Sequence, residues 1–122
     1  MKFVFDECVS DKIAKALHIM GKDTCSCKEL WEPGVSDEQW IPEAAQKHWC
    51  VVTSDMLRPH RRLALRQNNG RIFLIVSKNL QAWDQFRLLV DKWLQIEDCA
   101  QKEKAPFIMR VPRQGRLARI EC

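Results

Sequence analysis

Apolar and polar residues alternate along this chain in two periods, and the switches between them predict its elements. Lys2-Phe3-Val4-Phe5 reads as a short strand of β-branched and aromatic residues. Ser10 stands as a helix cap, with Ile13, Ala16, Leu17 and Met20 at helical spacing behind it and Gly21 as the stop. Asp23 to Cys27 predicts a second, weaker strand, and Pro33-Gly34 a turn. Ser36-Asp37-Glu38-Gln39 has the form of a capping box, with Ser36 as cap and Gln39 at the third helical position. The helix behind it is expected to carry Trp40, Ile41, Ala44, Ala45 and His48. Pro42 falls inside it, so that helix is expected to be distorted or to begin later than the box implies.

Cys50 to Thr53 is a compact apolar strand that ends at Ser54-Asp55. A basic helix follows over Pro59 to Gln67, closed by Asn68-Asn69-Gly70, and Arg71 to Val76 is the strongest buried-strand candidate. Trp83, Phe86, Leu89, Val90, Trp93 and Leu94 form an apolar stripe at helical spacing over 81–97. Phe107 to Val111 and Leu117 to Ile120 read as strands separated by Pro112 and Gly115. There are no repeats, low-complexity tracts or linkers. The predicted fold class is α/β: one domain over 1–122, in three layers, with a largely parallel central sheet flanked by helices. Trp83 and Trp93 are expected in the core or at a subunit interface, and Trp31, beside Pro33-Gly34, in a groove for substrate or partner.

Composition narrows the class. With 122 residues, 46% hydrophobic and 30% charged, the chain is globular rather than disordered. Its longest clear apolar run, Ile72 to Val76, is far short of the ~18–20 residues of a membrane span. Asp6 and Glu7 interrupt the N-terminus before any signal-peptide core, so a cytoplasmic protein without membrane contact is expected. The six cysteines, Cys8, Cys25, Cys27, Cys50, Cys99 and Cys122, are expected to be reduced and mostly buried. Cys25-Ser26-Cys27 and the scattered His18, His48 and His60 make a poor zinc set. His60 is either a general base or a polar surface residue.

The net charge of +4 conceals an asymmetry: residues 1–57 carry a surplus of four acids, residues 58–122 a surplus of eight bases and every arginine. Arg58, Arg61, Arg62, Arg66, Arg71 and Lys78 lie in a stretch with no acid, and Arg110, Arg113, Arg116 and Arg119 close the chain. Guanidinium groups match phosphate oxygens in pairs, so this half suits a polyanion. An acidic partner protein is the alternative.

The acids occupy the positions where a parallel sheet gathers them. Asp6 and Glu7 directly follow the first predicted strand and Asp55 the Cys50–Thr53 strand. In open α/β sheets ligands bind beyond the carboxyl ends of the strands. If the two strands are parallel neighbours, these acids share one edge, and the intervening loop can bring Asp37 and Glu38 to it. Clustered carboxylates repel unless a cation compensates, and Mg²⁺ or Mn²⁺ suits such oxygens. Each acid has a plainer alternative: Asp37 serving the helix dipole, Glu38 solvated in a first turn, Glu7 merely on the surface. Asp6 and Asp55 are the pair expected to carry chemistry.

Phe3-Val4-Phe5-Asp6-Glu7, Val35-Ser36-Asp37-Glu38 and Val51-Val52-Thr53-Ser54-Asp55 resemble the motifs of small PIN-like domains, the group allied to VapC-type toxins and the Mut7-C domain. The resemblance covers most of the chain. It implies a PIN-like α/β fold and divalent-metal-dependent cleavage of RNA. Asp6, Asp37 and Asp55 would hold Mg²⁺ or Mn²⁺, and Glu7 and Glu38 would assist; the basic run itself, rather than the resemblance, assigns Arg58, Arg61, Arg62 and Arg66 to the RNA backbone. The resemblance also implies an antitoxin protein and a homodimer as partners. Three features depart from the group's pattern: Cys8 replaces a common asparagine, Leu57 a frequent acid, and the arginines at 58, 61 and 62 fill a less basic stretch.

Two other readings fit the residues. In a receiver-like phosphoacceptor domain Asp6 and Glu7 are the paired acids and Asp55 the acceptor, although the strands at the C-terminus stand where a helix belongs. In a silent PIN-like module the arginines bind nucleic acid or an acidic partner and the acids are incidental.

Overall fold

In chain order the protein forms β1 (Phe3–Phe5), α1 (Asp11–Ile19), β2 (Thr24–Ser26), α2 (Cys27–Leu30), α3 (Asp37–Gln46), β3 (Cys50–Thr53), α4 (Pro59–Gln67), β4 (Arg71–Ile75), α5 (Ala82–Lys102), β5 (Phe107–Val111) and β6 (Ala118–Ile120). This computed structural model describes all residues except 56–58, 77–79 and 121–122, and at Asp37 and His60 the backbone alone. The strands build one sheet in the order β2-β1-β3-β4-β5-β6. All neighbours are parallel except β5 and β6.

Helices cover both faces of the sheet, so its central strands are apolar on both sides, as parallel strands require. Ile13 and Leu17 of α1 and Leu89, Trp93 and Ile96 of α5 pack with Phe3, Phe5, Val52 and Phe73 on one face. Trp40, Ile41 and Ala44 of α3 and Leu65 of α4 pack with Val51, Ile72 and Ile108 on the other. The predicted three-layer α/β architecture is the one observed. The last crossover breaks the rule of its predecessors. The sheet steps from β3 to β4 over α4 and from β4 to β5 in the same direction, yet α5 lies on the opposite face, beside α1. That crossover therefore has the other hand, which is rare, and Arg110 and Ala118 stay exposed on the α4 side of the sheet.

Several boundaries moved for identifiable reasons. The capping box forms at Ser26, not at Ser36: Ser26 Oγ accepts from Lys28 N and Glu29 Oε2 accepts from Ser26 N at 2.7 Å, which starts the unforeseen helix α2. Ser36 caps α3 without a side-chain bond. α3 starts where that box was expected and runs through Pro42, giving up the one bond that residue would donate. His48 lies beyond the helix in a left-handed turn (φ 59°). α5 outruns its predicted end because Ile96 and Ala100 continue the buried stripe. Trp93 is in the core, but Trp83 is 67% exposed and rests on Phe86. Ten residues turn a helix to a face roughly 80° away, so the two tryptophans cannot share one. Trp31 packs against Trp40 and Trp49 and donates to Glu43 Oε2 at 2.6 Å.

The five described cysteines are free thiols, and of these Cys27 and Cys50 are buried while Cys8 is exposed; Cys122 lies outside the described residues. No helix among the described residues is long and apolar enough to cross a membrane.

Candidate functional site at the carboxyl edge of the sheet

Parallel pairing of β1 with β3 aligns Phe5 with Val52, so both strands end at the same level. The ladder runs one residue further, with Asp6 N donating to Val52 O at 2.9 Å. Asp6 is thereby fixed at the edge by its own backbone, and it is only 8% exposed. Its Oδ1 accepts from Glu7 N at 2.8 Å. Its Oδ2 accepts from Thr53 Oγ1 at 2.9 Å and lies 3.5 Å from Arg61 Nη2.

Thr53 ties the two strand ends together. Its hydroxyl donates to Asp6 and accepts from Asp55 N at 3.2 Å. Asp55 is half exposed, and its Oδ2 lies 3.4 Å from Arg61 Nη1. One guanidinium thus reaches both carboxylates, one nitrogen to each. Arg61 reaches them from the first turns of α4 and is 7% exposed. The sequence assigned it to the RNA backbone; the structure sets it against both acids, because burying Asp6 without a cation is costly.

Cys8 lies beside Asp6 and Thr53. Its Sγ is 3.2 Å from Thr53 Oγ1 and 3.7 Å from Asp6 Oδ2, and it accepts from Ser54 N at 3.2 Å. Cys27, at the end of neighbouring β2, feels the same acids. Burial, then the negative charges of Asp6 and Glu7, push its thiol up to about 11.

The other predicted residues are placed less closely. Glu7 is exposed beside Asp6. Crossovers between parallel strands start at the carboxyl edge, so the first turn of α3 brings Asp37 and an exposed Glu38 to that side of the sheet. The Asp37 side chain, the His60 side chain, Leu57 and Arg58 lie outside the described residues. Arg62 is half-buried and Arg66 exposed on α4. Sequence reasoning missed Thr53 and the inward role of Arg61. The signal for Thr53 was available: a hydroxyl in a four-residue strand buried throughout must find a partner.

Carboxylate oxygens are the right chemistry for Mg²⁺ or Mn²⁺, which protein sites often hold with one or two carboxylates and water. Asp6 and Asp55 both face one cation, the Arg61 guanidinium, so the pair fits such an ion in donor type and in the sign of its charge. Among the described residues, no group of three or more His, Cys, Asp or Glu side chains is arranged around a common metal position.

The order β2-β1-β3-β4-β5 puts the acids beside the point where the chain reverses direction across the sheet, the usual ligand position in doubly wound folds. A family model described as a PIN-like domain matches residues 1–77, which span β1 to β4 and hence both acids and Arg61. No curated protein and no solved structure matches the chain.

Proposed function

Since this chain belongs to the PIN-like domain family, whose members are commonly nucleases, we propose that it cleaves RNA phosphodiester bonds at the carboxyl edge of β1 and β3. The observation that carries this reading is the parallel register that brings Asp6 and Asp55 onto one cation. Asp6 and Asp55 are the residues that would hold Mg²⁺ or Mn²⁺, and in this reading Asp37, Glu7 and Glu38 would assist. The ion, when bound, supplies water activation and charge neutralisation at the phosphate. The chain's own contribution is preorganisation. Thr53 fixes the Asp6 carboxylate and the Asp55 backbone with one hydroxyl, so neither acid has to be ordered when substrate arrives. Arg62 and Arg66, on the same helix as Arg61, supply contacts to the RNA backbone in this reading.

The test is cleavage of a labelled RNA pool in Mg²⁺ or Mn²⁺ by the wild type and by Asp6→Asn and Asp55→Asn. The expected loss in each variant is about 100-fold or more, with far-UV circular dichroism unchanged. RNA bound in a salt-dependent way but left intact in either ion would replace this reading with a silent binding module. Variants as active as the wild type would remove these acids from the mechanism.

A further inference from the structure

The nuclease reading treats Asp6 and Asp55 as ligands for a metal, yet the charge that meets them belongs to the protein. Arg61 divides its guanidinium between Asp6 Oδ2 and Asp55 Oδ2, at 3.5 and 3.4 Å. The side chain is almost fully buried, and so is that of Asp6. An arginine keeps its positive charge at every accessible pH, so only movement of the side chain removes that charge from the pair. The same Asp6 oxygen also carries the Thr53 hydroxyl. A second cation at these two oxygens meets an Asp6 oxygen that already accepts from two donors, and a like charge within a few ångströms.

We propose that Arg61 is the resident counter-ion of the acid pair, that a divalent cation binds there only by displacing it, and that the phosphate backbone drawn to the site is the group that receives the displaced guanidinium. This rests on the nuclease reading for the identity of the phosphate, and deepens it: metal and RNA bind with positive coupling, through one side chain. Two features support a side chain that exchanges partners. Its two ion-pair distances are long for charge-assisted bonds, which settle near 2.7–2.9 Å. Its Asp55 partner is half exposed, so the outer half of the bridge already borders solvent. Linkage then requires reciprocity: whatever factor RNA adds to metal affinity, metal adds to RNA affinity.

The experiment titrates Mn²⁺ into the full chain by calorimetry, alone and with a 2′-O-methyl oligonucleotide that resists cleavage. In the wild type the oligonucleotide tightens Mn²⁺ binding about fivefold or more, the lower end of ordinary coupling. In Arg61→Gln, Mn²⁺ alone binds about tenfold tighter than in the wild type, because the competing charge has gone, and the oligonucleotide adds no further tightening. Equal Mn²⁺ affinity in wild type and Arg61→Gln, or no Mn²⁺ binding by either folded protein, overturns the proposal; so does coupling that survives the substitution. If Arg61→Gln fails to fold, Arg61→Lys decides. One ammonium cannot span both carboxylates in the same fork, so Mn²⁺ binding tightens about threefold, and unchanged affinity overturns the proposal. The outcome is independent of catalysis. Tighter Mn²⁺ binding in a protein that never cuts RNA sinks the nuclease reading alone, whereas cleavage that needs Asp6 beside unchanged Mn²⁺ affinity sinks this one alone.

Discussion

Replacing Thr53 by valine isolates the hydroxyl that links the two strand ends. Valine fills nearly the same volume, and the site is 1% exposed, so neither a cavity nor a clash confuses the result. Two bonds and a weak sulfur contact go: the bond donated to the Asp6 carboxylate at 2.9 Å, the one accepted from Asp55 N at 3.2 Å, and the contact with Cys8 Sγ at 3.2 Å. A hydrogen bond to a charged group is worth about 1.5–3 kcal/mol. The second bond borders solvent, where water substitutes for it, so it adds only about 0.5 kcal/mol. The sum, about 2–3 kcal/mol, corresponds to a fall in Tm of roughly 10 °C for a domain of this size. Thr53→Ser keeps both bonds and loses one methyl group, at about 1 kcal/mol. Urea unfolding at pH 7 on both variants gives the comparison, and a double-mutant cycle with Asp6→Asn isolates the pair, with a coupling of about 1 kcal/mol or more. Thr53→Val within 0.5 kcal/mol of the wild type, or less damaging than Thr53→Ser, refutes the reasoning.

A Cβ added at Gly70 would overlap Leu65 Cδ1, and Leu65 is fully buried, so Gly70→Ala should cost about 1–3 kcal/mol in urea unfolding; a neutral substitution shows that Leu65 can shift to make room. Burial raises four thiols above 9.0: Cys27 and Cys99 to about 11, Cys50 to about 12, and Cys25 in the same direction. Below pH 9 folded and unfolded chains both keep these protons and stability is flat in this respect. Above it the unfolded chain releases protons that the folded one holds, so stability falls toward pH 11, by as much as ~1.4 kcal/mol per pH unit for the fully buried Cys50 and by less for the thiols nearer solvent. Urea midpoints that match at pH 8 and pH 10 contradict this. Iodoacetamide at pH 8 should modify Cys8 in the folded chain and leave Cys27 and Cys50 untouched until urea is added, and mass spectrometry of the peptides reads the order directly.

The sheet was legible because its strands are short apolar blocks that end in polar residues. Cys50–Thr53 and Phe107–Val111 fall where the pattern put them, and β1 and β4 differ from it by one residue. The acid pair was legible for the same reason: Asp6 and Asp55 are fixed by strand ends, and strand ends are local. What escaped was decided by tertiary partners. Ser36 and Ser26 head similar cap patterns, but only Ser26 has a carboxylate, Glu29, folded back onto it. Arg61 looks identical to Arg62 and Arg66 in sequence, and only the helix phase of α4 against β1 and β3 distinguishes an inward guanidinium from an outward one. Of the two places expected for Trp83, its exposure leaves the subunit interface rather than the core, since an apolar stripe tolerates a member turned toward solvent.

The partners of Asp6 lie far along the chain: Thr53 is 47 positions on and Arg61 is 55. A strand that pairs only in parallel has no hairpin to hold it while it waits, and loop closure of this length makes the pairing slow. During synthesis at about 5–20 residues per second, β1 is therefore out for roughly 3 to 11 seconds before Arg61 is even made. No shorter product of translation contains the acid pair with its cation. The long-range register is also a timer: the edge forms only after the polypeptide that carries it has moved well along its own production.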